Sequence, residues 1–247
     1  MSSKIFKKIL GILGYKLLEK NYIKNTRLVS KGSTLNLSNI LEKLFYKKLI
    51  NSAIQIGAND GNQFDNLSLF IKKYNTKTIL VEPIKEHFEE LKKNYYSYKN
   101  VIFENLAISE NEEVKYLYSV KQKYQNSYGA HAKAIGSFDI KHLIKHGIKK
   151  NHIEKISTKT ISLNELINKH DFSNFDLLFI DAEGYDGEIV INFLENKLKC
   201  KIIIFEYIHI DNETLKKLIN LLIHYEYKFF SVNENLVCLK ENISLEI

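Results

Sequence analysis

Apolar residues in this chain fall into short runs separated by longer stretches with helical spacing. Residues 53–56, 78–82, 101–104, 176–181 and 201–206 are brief, apolar and bounded by turn residues, which predicts strands. Residues 64–74, 85–96, 163–169, 187–196 and 212–225 repeat their apolar positions every three to four residues, which predicts helices. Ser162 with Glu165 three positions on marks a capped helix start. Strands alternating with helices predict an α/β fold: a mostly parallel sheet covered on both faces. Residues 229–232 and 236–239 predict an antiparallel hairpin closing one edge. Residues 36–50 read as a further helix with Leu41, Leu44 and Phe45 inward. Residues 114–118 alternate like a strand, and regularity returns at 156–161.

Two stretches break this rhythm. Residues 4–20 have helical spacing, with Ile5, Ile9, Ile12 and Leu13 on one face and Lys4, Lys7 and Lys8 elsewhere. The stretch is too short and interrupted to span a bilayer, and no small-residue cleavage site follows. It is expected to pack on its own domain or a second copy; contact with the inner face of an anionic membrane is the other reading. Residues 120–152 are polar and aromatic and carry His131, His142, His146 and His152. Long insertions of this kind are usually functional or mobile, so this is the expected substrate-binding region. The expected organisation is an N-terminal helical extension over 1–50 and one α/β domain over 51–247. No internal repeat or linker marks another domain.

The strand-to-helix turn after residue 56 reads Gly57-Ala58-Asn59-Asp60-Gly61-Asn62. Gly57 allows a tight turn and close approach of a ligand to the backbone. Asn59 and Asp60 tolerate unusual backbone angles and bond their own main chain. Gly61 gives close passage before a helix expected to start near Asn62. About twenty residues on, the second strand closes on Glu82-Pro83, where a carboxylate can accept two hydrogen bonds from a ribose diol. A strand, a glycine turn, a helix and a strand ending in an acid form a nucleoside-binding half-unit. Gly57-x-x-x-Gly61 lacks the central glycine that seats a pyrophosphate, and Asp60 adds negative charge. The turn therefore favours a cationic sulfonium, S-adenosylmethionine, over NAD. Asp181 and Glu183 close a later apolar strand at the same sheet edge and can steady that cation or orient a hydroxyl.

Composition narrows the choice. The chain has 247 residues, 45% hydrophobic and 26% charged, with formal charge +7. That suits one α/β domain with a sizeable core. The lysines interleave with glutamates, as over residues 86–93, so they read as a solvated surface rather than a nucleic-acid track, and no DNA partner is expected. The two cysteines, Cys200 and Cys238, lie in apolar surroundings and imply buried thiols in a reducing, cytoplasmic setting. They cannot build a zinc ribbon or an iron–sulfur cluster. The one proline, Pro83, excludes the Asn/Asp-Pro-Pro-aromatic loop of base amino-methylation and the Pro-Cys nucleophile of cytosine C5 methylation.

With these pieces in order, the chain resembles the FkbM family of S-adenosylmethionine-dependent methyltransferases. The resemblance rests on Ile56 to Gly61, Glu82-Pro83, Asn105 to Ser109, the run from Thr160 to Leu166, and Ile180 to Gly184. It covers roughly residues 52–210. It implies a Rossmann-like class I methyltransferase sheet and O-methylation, often of a sugar or polyketide hydroxyl, with surface-polysaccharide biosynthesis as a frequent setting. By match to these pieces, Gly57, Ala58, Asn59, Gly61, Glu82, Pro83, Asn105, Ala107 and Asp181 would line the cofactor. The Asp-Ala-Glu-Gly-Tyr-Asp run departs mildly from the family's Asp-Val-Glu-Gly-x-Glu. The expected acceptor is a carbohydrate or another hydroxyl-bearing small molecule. Asp181, Glu183 and His131 are the candidate bases. Asp181, Glu206 and His209 could ligate a divalent ion, but no tight ligand spacing supports one, so no metal is expected. The rivals are an RNA methyltransferase, for which Lys121, Lys123, Tyr124 and Tyr128 speak, and a non-catalytic scaffold retaining the fold.

Overall fold

A computed structural model describes residues 29–30, 33–34, 36–63, 65–129, 132 and 135–243. The chain divides into two units, residues 1–36 and 37–247. The 4–20 helix expectation and His131 lie outside the described residues. In the first unit, β1 (Val29–Ser30) pairs antiparallel with β2 (Ser33–Thr34).

The second unit opens with α1 (Leu37–Tyr46), which buries Leu37, Ile40, Leu41, Leu44 and Phe45. Its Phe45 ring stacks on Phe70 and Tyr74 at 5.6 and 5.3 Å. Three strands follow: β3 (Ser52–Ile56), β4 (Lys77–Val81) and β5 (Val101–Glu104). Between them lie α2 (Ser68–Tyr74) and α3 (Lys85–Asn94). After them come β6 (Ala107–Ile108), β7 (Glu113–Val120), β8 (Gly136–Ser137), α4 (Ile140–Lys145), β9 (Ile153–Ile161) and α5 (Leu163–Lys169). The chain then alternates through β10 (Leu177–Ile180), α6 (Asp186–Glu195), β11 (Ile202–Glu206) and α7 (Asn212–His224). It closes on the hairpin β12 (Tyr227–Val232) and β13 (Asn235–Lys240).

The main sheet has seven strands in the order β12-β13-β11-β10-β3-β4-β5. The five strands from β11 to β5 are mutually parallel, and β13 runs antiparallel beside β11. This is the expected Rossmann-like sheet with its antiparallel hairpin. The strands are read outward from β3 in both directions, so the order reverses between β3 and β10. With right-handed crossovers, the helices after β3 and after β10 cover opposite faces. A crevice must then open beyond the carboxyl ends of β3 and β10, where ligands bind in such sheets. All four β10 residues are buried, as are the last four of β3 and β4 and the first four of β11. Continuous burial explains why these strands read as unbroken apolar runs. Cys200 and Cys238 are buried free thiols.

Two features differ from expectation. The helix after the glycine turn begins at Ser68, not near Asn62. The Asp60 carboxylate accepts the N–H groups of Asn62 and Gln63, and Asp65 accepts those of Leu67 and Ser68. Two consecutive side-chain-closed turns thus occupy the span that a helix would need. The second is a four-stranded sheet, β6-β9-β7-β8, which shares no strand with the main sheet. Residues 120–152 are not a bare loop: Val120, Ala132, Ile135, Leu143, Ile148 and Ile153 form their own apolar cluster. Tyr124 stacks on His152 at 3.7 Å between ring centres, and Tyr128 shares a 2.7 Å hydrogen bond with the same imidazole.

Candidate functional site

The tips of β3, β4 and β10 are locked together by backbone bonds. Gly57 and Ala58 both donate to the Val81 carbonyl at 3.0 Å, and Asp181 donates to the Ile56 carbonyl at 2.9 Å. Gly57 sits at φ +79°, and a Cβ there would lie 1.9 Å from the Asp181 carbonyl oxygen. No side chain fits between these strand tips. Gly61 serves a different purpose: at φ +66° its missing Cβ makes room for Leu91 and Tyr95 beneath the turn.

Glu82 is buried just past β4. Its two oxygens accept from Asn59 N–H at 2.9 Å and Ile84 N–H at 2.8 Å. The carboxylate thus braces the glycine turn while keeping lone pairs for a further donor pair such as a diol. Burial pushes its carboxyl up to about 7, against the pull of those two N–H groups. Asn105 does not face the crevice. Its amide donates to the Glu82 and Pro83 carbonyls at 2.9 and 3.2 Å, pinning the β4 tip to the β5 tip.

Of the residues expected at the cofactor, Gly57, Asn59, Glu82, Pro83, Ala107 and Asp181 line one pocket at this crevice. Ala58, Gly61 and Asn105 do not line it: Ala58 and Gly61 belong to the turn, and Asn105 ties the β4 and β5 tips. Apolar walls that periodicity could not single out come from Ile84, Leu106, Ile108 and Phe138. The last belongs to the β8–α4 segment, so the smaller sheet supplies part of the wall. An acid at the second strand's tip, a turn with no side chain at Gly57 and apolar walls fit a nucleoside with its ribose on Glu82.

The segment after β10 is organised by a residue that the sequence did not single out. Asp186, the first residue of α6, is buried and accepts from Ala182 and Gly184 N–H groups, each at 3.3 Å. Glu183 is held in the left-handed region at φ 48°, and Ser137 donates to its carbonyl at 2.8 Å. Its carboxylate meets His142 Nε2 at 2.9 Å. Burial raises Asp186 to about 7. Burial, then the charges of Glu183 and Asp186, raise Asp181 well above the carboxylate range.

A second pocket shares Asp181 and Glu183 with the first. Asp65, Glu206, Glu234, His146 and His209 join them. Burial and then Asp181 push Glu206 up to about 9, and burial raises Asp65. No lysine or arginine lines this pocket among the described residues. Asp65, His142 and His146 were not among the expected site residues. The four-residue spacing of the two histidines was the one available signal, since it stacks them on one helical face.

A doubly wound sheet with two joined pockets at its switch point defines a nucleoside-cofactor enzyme fold. Residues 55–229 match the Methyltransferase FkbM domain, more than two thirds of the chain. The chain belongs to the FkbM family of S-adenosylmethionine-dependent methyltransferases. Among solved structures it is similar to the methyltransferase FkbM of Methylobacillus flagellatus KT, at 11% identity and TM-score 0.46. That likeness covers 77% of this chain and 44% of the other, so the present chain spans less than half of that protein. It is also similar to an O-methyltransferase of Bacillus cereus in complex with SAH, at 10% identity and TM-score 0.43, covering 97% and 92%. No curated protein matches the sequence.

Proposed function

We propose that this chain transfers a methyl group to a hydroxyl oxygen, with a sugar of a surface polysaccharide or its precursor as acceptor. The observation that carries this reading is the second pocket, which meets the cofactor pocket at Asp181 and Glu183. Its lining of carboxylates, imidazoles and the amides of Asn62 and Asn66 offers many hydrogen-bond acceptors and donors to a polyhydroxyl ligand. Among the described residues this lining offers a phosphate no lysine or arginine, which disfavours RNA.

S-adenosylmethionine supplies an electrophilic methyl on a sulfonium. Glu82 would hold the ribose hydroxyls, and Ile84 and Leu106 would cover the base. The leaving thioether is neutral, so the chain contributes mainly positioning. A sugar hydroxyl is a weak nucleophile and needs a base near the methyl. Asp181 lies on the boundary of both pockets, and in its ionised form it would accept the hydroxyl proton. Transfer would exchange that O–H bond for an O–C bond, with the C–S electron pair left on sulfur. Glu183, fixed by His142, orients the hydroxyl. His131 remains a second candidate base.

The test is transfer of labelled methyl from S-adenosylmethionine into surface glycan and, in parallel, into total RNA of the source organism. Base-stable label in glycan, with one methyl fewer per sugar unit in cells lacking the gene, is the expected result. Label confined to RNA would overturn the acceptor. A chain whose melting does not respond to S-adenosylhomocysteine would instead support the non-catalytic scaffold.

A further inference from the structure

Three histidines converge beside the second pocket, with His146 and His209 in its lining. His142 lies in α4 and His146 just past its end, four residues on, so their rings share a face at 4.7 Å between centres. His209 arrives from the segment after β11, its ring 4.6 Å from His142 and 5.2 Å from His146. One ring nitrogen from each lies within 4.8 Å of the others. Nitrogens around a tetrahedral zinc-sized ion stand about 3.3 Å apart, given metal–nitrogen bonds of about 2.0–2.1 Å. Modest ring rotations close that difference.

Two carboxylates reach the same cluster. Glu183 Oε2 is 2.9 Å from His142 Nε2, and Glu206 Oε2 is 3.7 Å from His209 Nε2. Such spacings suit ligand atoms that share one ion, or an outer carboxylate that orients a ligating imidazole. A single cation satisfies imidazole nitrogens and carboxylates together. The strained backbone of Glu183 and the Ser137 bond to its carbonyl hold that carboxylate towards the cluster.

We propose that His142, His146 and His209, with Glu183 or Glu206, bind one divalent first-row transition-metal ion beside the acceptor pocket. Nitrogen-rich donors with one or two carboxylates favour zinc-like ions over magnesium or calcium, which prefer oxygen. The ion's further role rests on the methyl-transfer reading. Placed there, it can take the acceptor hydroxyl as a ligand and lower its pKa, easing loss of the proton.

The experiment uses the 247-residue chain without a histidine tag, stripped of metal by a chelator and dialysed. Titration with Co2+ should give the ligand-field absorption of a four- or five-coordinate ion, saturating at one ion per chain. Zn2+ should abolish it. His146→Ala and His209→Ala should each weaken Co2+ binding at least about tenfold. His152→Ala, at the Tyr124 stack, should leave it unchanged. Absence of the absorption in the unaltered chain overturns the site, as does its survival in both cluster variants. The first of these outcomes needs no substitution, so a folding defect in a variant does not affect it. Calorimetry with S-adenosylhomocysteine on the same samples separates the two readings. Lost cofactor binding with intact Co2+ binding sinks methyl transfer alone, and the reverse sinks the ion alone.

Discussion

Glu82 combines a structural and a binding role in one carboxylate, and the two pull against each other. It braces Asn59 and Ile84 through backbone N–H groups, yet burial raises it to about 7 from an ordinary 4.5. The unfolded chain ionises this group first as pH rises. Below pH 4.5 the group is neutral in both states and favours neither. Between 4.5 and 7 the folded state falls behind, by roughly 3 kcal/mol at most. Asp186, raised from 3.8 to about 7, acts in the same sense from a lower starting pH. Cofactor-free protein should therefore lose stability as pH rises from 4.5 to 7. Glu82→Gln should flatten part of that slope in denaturant titrations; an unchanged slope would refute the assignment. Glu82→Ala should abolish S-adenosylhomocysteine binding in calorimetry, whereas ordinary affinity in that variant would remove Glu82 from the cofactor site.

At the scale of elements, the segment from Asp181 to Asp186 carries the site's precision. Asp186 gathers the Ala182 and Gly184 N–H groups and so sustains the left-handed turn at Glu183. Asp186→Ala should lower turnover at least about tenfold through misplacement of Asp181 and Glu183. Cofactor affinity should change far less, because Glu82 and Gly57 lie on other strands. Equal losses in kcat and cofactor affinity would show that the segment serves the cofactor alone. Much of this architecture is legible in the sequence. Gly57, Glu82 and Asp181 stand at the ends of apolar runs, where strand tips must fall. Residues 114–118 were legible as a strand, but their pairing into a separate sheet was not, because the partner β9 lies beyond the intervening insertion. His142 and His209 could not be paired from sequence either, since they lie far apart in the chain and only the fold brings their rings to 4.6 Å. Gly61 and Asn105 stand in the expected turn and loop, yet their contacts point behind the crevice rather than into it.

Across the whole molecule, a formal charge of +7 coexists with a crevice lined by acids. The excess lysine is therefore a property of the outer surface, and the site gains negative charge as its buried carboxylates ionise. This arrangement distinguishes the cationic cofactor from its neutral product. As pH rises from about 6 to about 8, Glu82 and Asp186, both raised to about 7, lose their protons. S-adenosylmethionine should gain affinity relative to S-adenosylhomocysteine across that range, read by calorimetry at each pH. A ratio independent of pH would mean that these carboxylates do not sense the sulfonium. Among the described residues no helix is long and apolar enough to cross a membrane.

The pairing of β3 with β10 also governs how the molecule is made. Ala53 stands opposite Leu177, so the two central strands meet only across a long intervening stretch of chain. Closing a loop of about 120 residues costs about 4 kcal/mol in chain entropy, and contacts this remote in sequence slow the search for the native state. During synthesis the early strands β3, β4 and β5 emerge together and can pair at once. The crevice has no second wall until β10 has left the ribosome. Competence to bind a nucleoside is thus acquired late in the life of the nascent chain, in one step, when the two halves of the sheet join.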